Sequence, residues 1–343
     1  MGNQLRELAA VGQSIWLDNI RRSMFASGDL QKLIDQGLRG MTSNPTIFEK
    51  AIGSGTDYDE QLRMLLDEHD SVAVFEALAI RDIRSACDAF RPVWDETQGL
   101  DGYVSLEVSP TLAHDTQGTI SAARRLWRTV ERPNLMIKIP GTAEGVPAIR
   151  ATIAAGINVN VTLLFSVDRY EDAADAYVSG LEDRAARGEP IDRIASVASF
   201  FVSRIDTAID KRLQAKIDRG ENLEFLLGQA AVANTKLAYQ RFMKLFGGER
   251  FAPLRAAGKC VPKLIKLQSQ FRYILRPVVD YVLSVERETD YKKVCVLVPE
   301  LVVRHWWENL LHNRRSDLLK VVLLVKGNRR IVVINIPWYL HRG

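Results

Sequence analysis

The chain has 343 residues and a formal net charge of +4; 47% of its residues are hydrophobic and 26% are charged. This composition excludes a disordered chain, a collagen-like chain and a bundle of membrane spans. Three cysteines are too few for a disulfide framework or a zinc site, and the first residues lack the pattern of a signal peptide. We therefore expect a cytoplasmic protein with no metal site and no membrane span.

Six short apolar segments, each followed by a helical pattern, occupy the first 218 residues. The predicted strands cover residues 14–20, 40–44, 103–110, 134–140, 157–165 and 194–203. Strands that alternate with helices indicate a parallel sheet with crossover helices. The first strand is not followed by the glycine-rich turn of dinucleotide-binding sheets. The pattern instead favours an α/β fold, a (β/α)8-type (TIM) barrel, which needs about 250 residues.

Polar residues stand near the ends of several predicted strands. They are Asp18, Asn44, Glu107, Lys138, Asn160, Thr162 and Ser199. The carboxyl ends of the strands form the active site in barrels of this type. A polar side chain inside an apolar strand is costly unless it has a partner, so packing alone does not account for these positions. They predict an active site at one end of the barrel.

Among these polar residues, Lys138 indicates the most specific chemistry, because apolar residues flank it on both sides. Burial disfavours the charged form of an amine, so we expect the pKa of Lys138 to fall toward neutrality. A partly neutral amine can attack a carbonyl carbon and form a Schiff base. The alternative is a lysine at the edge of a strand that extends its charge to water.

Two carboxylates, Asp18 and Glu107, lie on strands that would bring them to the same barrel mouth. Schiff-base chemistry needs groups that move protons to and from the carbinolamine and the substrate hydroxyl, and two acids near one amine meet that need. The alternative for each acid is a helix cap or a salt bridge.

Six motifs then point to one family. The segments WLDNI, GMTSNPTIFEKAI, SLEVSP, LMIKIPGT, INVNVTLLFS and SFFVSRID occur in this order. Together they resemble transaldolase of the long bacterial subfamily, and the similarity covers about residues 1–259. It implies transfer of a dihydroxyacetone unit between sugar phosphates in the pentose phosphate pathway, through a lysine Schiff base and without cofactor. Sugar phosphates are then the expected partners, nucleic acid is not, and a homo-oligomer is compatible with the family.

The resemblance also implies a role for individual residues. Lys138 matches the Schiff-base lysine, Asp18 the carboxylate that takes the substrate hydroxyl proton, Glu107 the acid that acts through a water, and Thr162 the hydroxyl that holds this water. Five further positions match substrate-binding residues of the family. Asn44 and Asn160 match residues that bind the dihydroxyacetone unit, Phe201 lines the pocket, and Ser199 and Arg204 belong to the phosphate site.

The last part of the chain departs from this family. The seventh-strand W-A-S-T segment and the eighth-strand N-T-M-P segment are not found, so six family-like strands are present and the last two are replaced or lacking. Residues 260–343 carry 15 Lys and Arg against 7 Asp and Glu. Residues 266–343, with RPVVDYV, VCVLVPELVVRHWWENLLHN and RRIVVINIPWYL, resemble the cytosolic C-terminal region of APC-type amino-acid permeases. We therefore predict a transaldolase-like barrel over 1–259 and a basic α/β tail over 260–343.

The tail admits three hypotheses. Its predicted strands, Lys292–Val298 and Arg329–Ile336, would take the seventh and eighth places of the barrel, in which case Val296 and Val333 would pair into its sheet. A helical pattern over residues 267–286 and the two strands would equally suit a separate small α/β module, with the barrel catalytically impaired. In the third hypothesis the tail is an interaction module that docks to a partner or a membrane surface.

Overall fold

The computed structural model describes residues 4–10, 13–65, 70–257, 264–269, 294–295 and 331–335. The strands, numbered in chain order, are β1 Gln13–Asp18, β2 Gly40–Thr42, β3 Tyr103–Glu107, β4 Leu135–Pro140, β5 Val159–Leu164, β6 Ser196–Phe201, β7 Leu264–Ser269, β8 Val294–Cys295 and β9 Ile331–Asn335. The helices are α1 Gln4–Ala10, α2 Ser23–Ala26, α3 Asp29–Asp35, α4 Pro45–Gly53, α5 Asp59–Leu65, α6 Ser71–Glu96, α7 Thr116–Val130, α8 Gly145–Ala154, α9 Val167–Ala186, α10 Ser203–Ile217, α11 Ala230–Gly247 and α12 Ala252–Ala257.

The first six strands form a continuous parallel sheet, as the alternation of apolar and helical segments predicts. The register aligns Asp18 with Thr42, and Glu107 with Lys138, which in turn aligns with Asn160. Residues that pair across neighbouring strands project to the same face of a sheet. The sheet therefore brings polar residues of successive strands to a common level, and the chain has a TIM-like α/β fold.

Burial explains why these segments are strands. All six residues of β4 are buried, which is typical of a parallel strand covered on both faces. Helix α7 covers the sheet with an apolar stripe. At its start the Asp115 side chain accepts a hydrogen bond from the Gly118 amide, and at its end Glu131 adopts the left-handed conformation. Helix α4 begins at Asn44 and Pro45, directly after β2. No helix in these described ranges is long and apolar enough to cross a bilayer.

The barrel is closed by strands from the tail. Strand β7 pairs in parallel with β6, with Lys266 at the register position of Ser199. Strand β9 runs antiparallel to both β1 and β7, and Val333 pairs with Ile15. The short strand β8 pairs with β7 and β9, so the hydrogen-bonded strands form a closed barrel. Closure satisfies backbone groups that an open sheet edge would expose.

These pairings test the hypothesis that strands of the tail take the seventh and eighth places of the barrel. The expectation that Val333 pairs into the barrel sheet is confirmed, whereas Val296 lies outside the described residues. The seventh place is held by residues 264–269 rather than by 292–298, so that assignment was wrong. The helix predicted from residue 267 was also wrong for 267–269, because backbone pairing with β6 outweighs the local helical pattern there.

Candidate active site

Lys138 lies inside the barrel on β4, where all six residues are buried. The residue is 5% exposed, and its Nζ is 3.0 Å from Oε2 of Glu107. The same Nζ donates a hydrogen bond to the backbone carbonyl of Ser43 at 3.1 Å. The alternative of a lysine that reaches water at a strand edge is therefore wrong. An amine at this position faces a carboxylate that can exchange a proton with it directly.

Asp18 ends β1 and is only 2% exposed. Its register partner Thr42 is fully buried, and the Thr42 Oγ1 has no hydrogen-bond partner among the described residues. Thr42 also aligns with Ser105 of β3, which shares a strand face with Glu107, so this face of β2 points into the barrel. Thr42 therefore adds a buried hydroxyl beside Asp18.

Thr42 was not among the predicted site residues. Strand alternation from Asn44 back through Thr42 to Gly40 would have indicated a shared face. The motif that contains both residues indicated only the side-chain amide of Asn44. The place of Thr42 beside Asp18 follows from the register of β1 with β2, which no motif displays.

A chain of side-chain hydrogen bonds crosses the barrel interior. Asn160 donates from Nδ2 to the Ser105 Oγ at 2.9 Å, and its Oδ1 accepts from the Ser199 Oγ at 2.8 Å. All three side chains are buried. These two bonds fix the orientation of the Asn160 amide, because one partner requires the nitrogen and the other the oxygen. Ser105 is a second residue that the sequence motifs did not indicate.

Thr162 lies at an irregularity of β5. The pairing of β5 with β6 shifts between Val161 and Leu164, and Leu163 has a φ of 60°. A leucine in the left-handed region is unusual and costs about 1–2 kcal/mol. Thr162 itself is 1% exposed, and its carbonyl accepts a hydrogen bond from the Gly141 amide at 2.7 Å. The bulge sets how the end of β5 meets the loop after Lys138.

Asn44 combines a structural contact with its position at the strand end. Its Oδ1 accepts a hydrogen bond from the Ile47 amide at 2.9 Å and caps α4. The cap fixes the side chain and directs the donor atom, Nδ2, away from the helix axis. Nδ2 is therefore the atom through which Asn44 would contact a hydroxyl of a ligand.

An aromatic pair and an arginine form another side of the site. The Phe201 ring is buried and stacks on Phe165 with 5.1 Å between centroids. The guanidinium carbon of the exposed Arg204 lies 4.7 Å from the Phe201 ring centroid. An exposed guanidinium held on an aromatic face is suited to bind an anionic group such as phosphate. Phe165 is 38% exposed and was not predicted.

The structure thus brings three predicted pairs into direct contact: Lys138 with Glu107, Asn160 with Ser199, and Phe201 with Arg204. The remaining predicted residues stand at the ends of β1, β2 and β5, and they are Asp18, Asn44 and Thr162. Amine, carboxylates, amides and hydroxyls are thereby collected on the carboxyl side of one parallel sheet, where (β/α)8 enzymes hold their substrates.

Comparison with known proteins assigns most of the chain. The transaldolase/fructose-6-phosphate aldolase family model matches residues 15–272. A transaldolase of Trichodesmium erythraeum is 50% identical over 271 residues, which cover 77% of this chain and 71% of that protein. Another of Saccharopolyspora erythraea is 52% identical over 259 residues, covering 75% and 69%. One of Mycobacterium ulcerans is 48% identical over 262 residues, covering 76% and 70%.

A second family model overlaps the end of the first. The C-terminal domain of the KimA potassium transporter matches residues 257–338. A transporter-like tail is thereby confirmed, while its similarity to the APC type in particular stays a prediction. The identity and coverage of the relatives above confirm the predicted transaldolase function and the enzyme class. The chain belongs to the transaldolase/fructose-6-phosphate aldolase family.

Proposed function

We propose that this protein moves a dihydroxyacetone unit between sugar phosphates through a Schiff base on Lys138. The reaction would convert sedoheptulose 7-phosphate and glyceraldehyde 3-phosphate into erythrose 4-phosphate and fructose 6-phosphate. The observation that carries the proposal is the buried amine of Lys138, 3.0 Å from Glu107, inside the barrel of a transaldolase-family chain. The proposal requires neither a metal nor an organic cofactor.

The first step joins the enzyme to the ketose. Lys138 attacks the keto carbon once its ammonium group has given up a proton, and Glu107 is the nearest base in contact with it. The attack forms a carbon–nitrogen bond and a carbinolamine. Return of a proton to the carbinolamine hydroxyl releases it as water and leaves the iminium. Thr162 would hold the water through which Glu107 acts.

The second step breaks the bond between the third and fourth carbons. Asp18 takes the proton from the hydroxyl on the fourth carbon, that carbon becomes an aldehyde, and the bonding electrons move into the iminium to give an enamine. Departure of the aldose phosphate leaves the three-carbon unit on Lys138. Attack of the enamine on a new aldehyde and hydrolysis of the iminium complete the transfer.

The remaining residues would bind the substrate. The Nδ2 of Asn44 and the polar atoms of Asn160 and Ser199 suit the hydroxyls of the three-carbon unit, since amides and hydroxyls both donate and accept hydrogen bonds. Arg204 suits the phosphate, because a guanidinium can bind phosphate oxygens bidentately. Phe201 would form the apolar wall between these two ends.

The test is covalent trapping. The protein is incubated with fructose 6-phosphate, reduced with borohydride and digested, and the adduct is located by mass spectrometry. We expect an adduct on Lys138 and its loss in Lys138→Ala. Lys216→Ala is the matched control, because Lys216 also pairs with a glutamate, Glu221 at 3.5 Å, but stands on the protein surface. An adduct on another lysine in the wild-type protein would contradict the proposal.

A second candidate is a barrel that forms the adduct but has lost turnover. Strand β9 favours it, because it lies beyond the residues that the transaldolase family model matches and closes the barrel where a late family strand is expected. A transfer assay beside the trapping experiment distinguishes the two. Trapping with turnover supports the transaldolase, and trapping without turnover supports the impaired barrel.

We also propose that residues 1–259 form the transaldolase-like part and residues 260–343 a basic tail that contributes strands to the barrel, in a cytoplasmic protein that is compatible with a homo-oligomer. The match of a transporter domain over residues 257–338 supports a different origin for this part. Its excess of Lys and Arg suits an acidic partner or an anionic membrane surface. Sedimentation with anionic vesicles tests this candidate, and binding that falls as salt rises would support it.

A further inference from the structure

A buried ionic cluster lies beside the site, and the proposed mechanism does not use it. Asp82 on α6 is 1% exposed and accepts two hydrogen bonds, from the Arg22 Nε at 2.8 Å and from the Tyr58 hydroxyl at 2.7 Å. The Tyr58 oxygen also accepts a hydrogen bond from the Arg22 backbone amide at 3.3 Å. The guanidinium carbon lies 4.2 Å from the centroid of the Tyr58 ring. Three side chains therefore contact one another in every pairwise combination.

The cluster joins two segments that lead out of the candidate site. Arg22 follows Asp18 by four residues and directly precedes α2. Tyr58 follows α4, the helix that begins at Asn44, and packs with Ala51 of that helix in a small apolar cluster. The segment after β1 and the segment after β2 are thus held together through α6.

The cluster also lies near the level of the strand ends. Asp82 precedes the end of α6, at Glu96, by about 21 Å at 1.5 Å per residue. Helix α6 leads into the start of β3, and a six-residue strand such as β1 is about 20 Å long. Arg22, four residues beyond the end of β1, is bonded directly to Asp82, so the cluster lies on the side of the barrel where β1 ends.

The cluster is built for holding rather than for binding a ligand. The guanidinium of Arg22 is paired with Asp82 through Nε, and its Nη1 lies 3.5 Å from the Asp57 carbonyl. Burial raises the pKa of Asp82, against the opposing effects of Tyr58 and Arg22, and it raises the pKa of Tyr58 as well. A protein retains such costly buried groups where a defined geometry is required.

We propose that Arg22, Tyr58 and Asp82 form a positioning cluster that sets the Asp18 segment against the Asn44 segment for carbon–carbon bond cleavage. The inference rests on the proposed function, in which these two residues contact the substrate. Lys138 on β4 also contacts the Ser43 carbonyl beside Asn44, but its charge partner Glu107 lies on β3, outside both segments that the cluster joins. The cluster should therefore affect cleavage more than Schiff-base formation.

The test uses Tyr58→Phe in the full chain, because this change keeps the ring and removes only the hydroxyl. Tyr103→Phe is the matched control. Tyr103 is also buried, and its hydroxyl donates a hydrogen bond to the Gly99 carbonyl at 2.6 Å. Tyr103 stands at the amino end of β3, away from the mouth of the barrel. For each protein we would measure borohydride-trapped adduct, release of glyceraldehyde 3-phosphate from fructose 6-phosphate in a single turnover, and thermal stability.

We expect Tyr58→Phe to slow aldehyde release about tenfold, since a displacement of about 1 Å can cost up to 100-fold. Adduct formation should stay within about twofold of the wild type, because Lys138 and Glu107 keep their contact. Tyr103→Phe should lose stability but release aldehyde at the wild-type rate. Arg22→Lys, which retains the charge opposite Asp82, should lose less than Arg22→Met.

Equal aldehyde release in Tyr58→Phe and Tyr103→Phe would overturn the inference, as would a parallel fall of adduct and aldehyde release. Wild-type protein that forms the adduct but releases no aldehyde would overturn it too. Wild-type protein that forms no adduct on Lys138 would instead contradict the proposed function, and the inference with it. The two failures are thus distinguished by the wild-type measurement alone.

Discussion

The six parallel strands and the strands from the tail contribute different things to one barrel. In β1–β6 the side chains at the strand ends carry the candidate chemistry, with Lys138, Glu107 and Asn160 aligned by the register. Strands β7 and β9 enter through backbone pairing, and β9 runs antiparallel to β1 and β7. Catalytic groups need particular side chains at particular positions, whereas closure needs only a strand of suitable length whose backbone can pair.

If the chemistry resides in the parallel strands, Glu107→Gln should have the largest effect. The amide keeps the size of the carboxylate but cannot take the proton of Lys138, and we expect adduct formation to slow about 100–1000-fold. Substrate binding should change much less. Stopped reductions at several fructose 6-phosphate concentrations separate the two quantities.

Glu144→Gln is the control for this change, because Glu144 is a carboxylate in the loop that follows β4, paired with His114 at 3.2 Å. Its variant should form the adduct at the wild-type rate. Equal loss of binding and of rate in Glu107→Gln would argue against proton transfer by this residue.

Closure by backbone pairing is tested by Val333→Pro. Strand β9 has a partner on each side, and Val333 pairs with Ile15, so a proline removes an amide from the ladder. We expect a loss of about 2 kcal/mol in the free energy of unfolding, measured by urea denaturation.

Val333→Ala retains the backbone amide and serves as the control. It should be more stable than Val333→Pro, because only the side chain differs from the wild type. A proline variant as stable as the alanine variant would show that β9 is not required for closure, and the comparison between the two regions would fail.

Ser105 tests whether the interior hydrogen bonds orient the substrate-binding amide. Ser105→Ala leaves the Nδ2 of Asn160 without its acceptor, and we expect turnover to fall about tenfold, equivalent to about 1.4 kcal/mol. Ser105→Thr retains a hydroxyl and should recover most of the activity. Turnover that is equal in the alanine and threonine variants would remove Ser105 from the positioning of Asn160.

The smallest expected effect concerns the helices outside the sheet. Burial raises the pKa of Asp206 above 3.8, and the hydrogen bond from the Ala231 amide opposes that shift. A raised carboxyl pKa contributes stability below 3.8 that is lost as the pH rises through the folded-state value. Asp206→Asn retains the acceptor and avoids this loss, so it should be more stable than the wild type at pH 7 and nearly equal near pH 3.

Thermal unfolding at several pH values measures that difference. The control is Asp115→Asn, since Asp115 likewise accepts a backbone hydrogen bond, from Gly118 at 2.9 Å, but caps a different helix, α7. A stability gap for Asp206→Asn that does not change with pH would contradict the titration of Asp206 as its cause.

Much of the parallel half could be predicted from the sequence, because each strand there is an apolar run bounded by turn residues. The helical pattern that follows the third run, over residues 116–130, coincides with α7, Thr116–Val130. The sequence pattern over residues 221–246 also favours one long helix, but α11 begins only at Ala230, after Gly228 adopts a φ of 70°. Local periodicity does not register a left-handed glycine that interrupts it.

Strand β7 could not be predicted in this way. Its residues continue into a helical pattern, and only pairing with β6 defines them as a strand. The site shows the same limit, since the motifs indicated Asn160 and Ser199 but not Ser105 or Thr42. Hydrogen bonds across the barrel join residues that are far apart in the chain, such as Asn160 and Ser105. A sequence motif identifies only residues that are close together in the chain.

The most direct test of the account is a crystal structure of the borohydride-reduced adduct formed with fructose 6-phosphate. We expect electron density that continues from the Nζ of Lys138 into the second carbon of the three-carbon unit. Its hydroxyls should lie within hydrogen-bond distance of Asp18, Asn44 and Asn160. Density joined to a different lysine, or an adduct on Lys138 that points away from both Asp18 and Glu107, would contradict it.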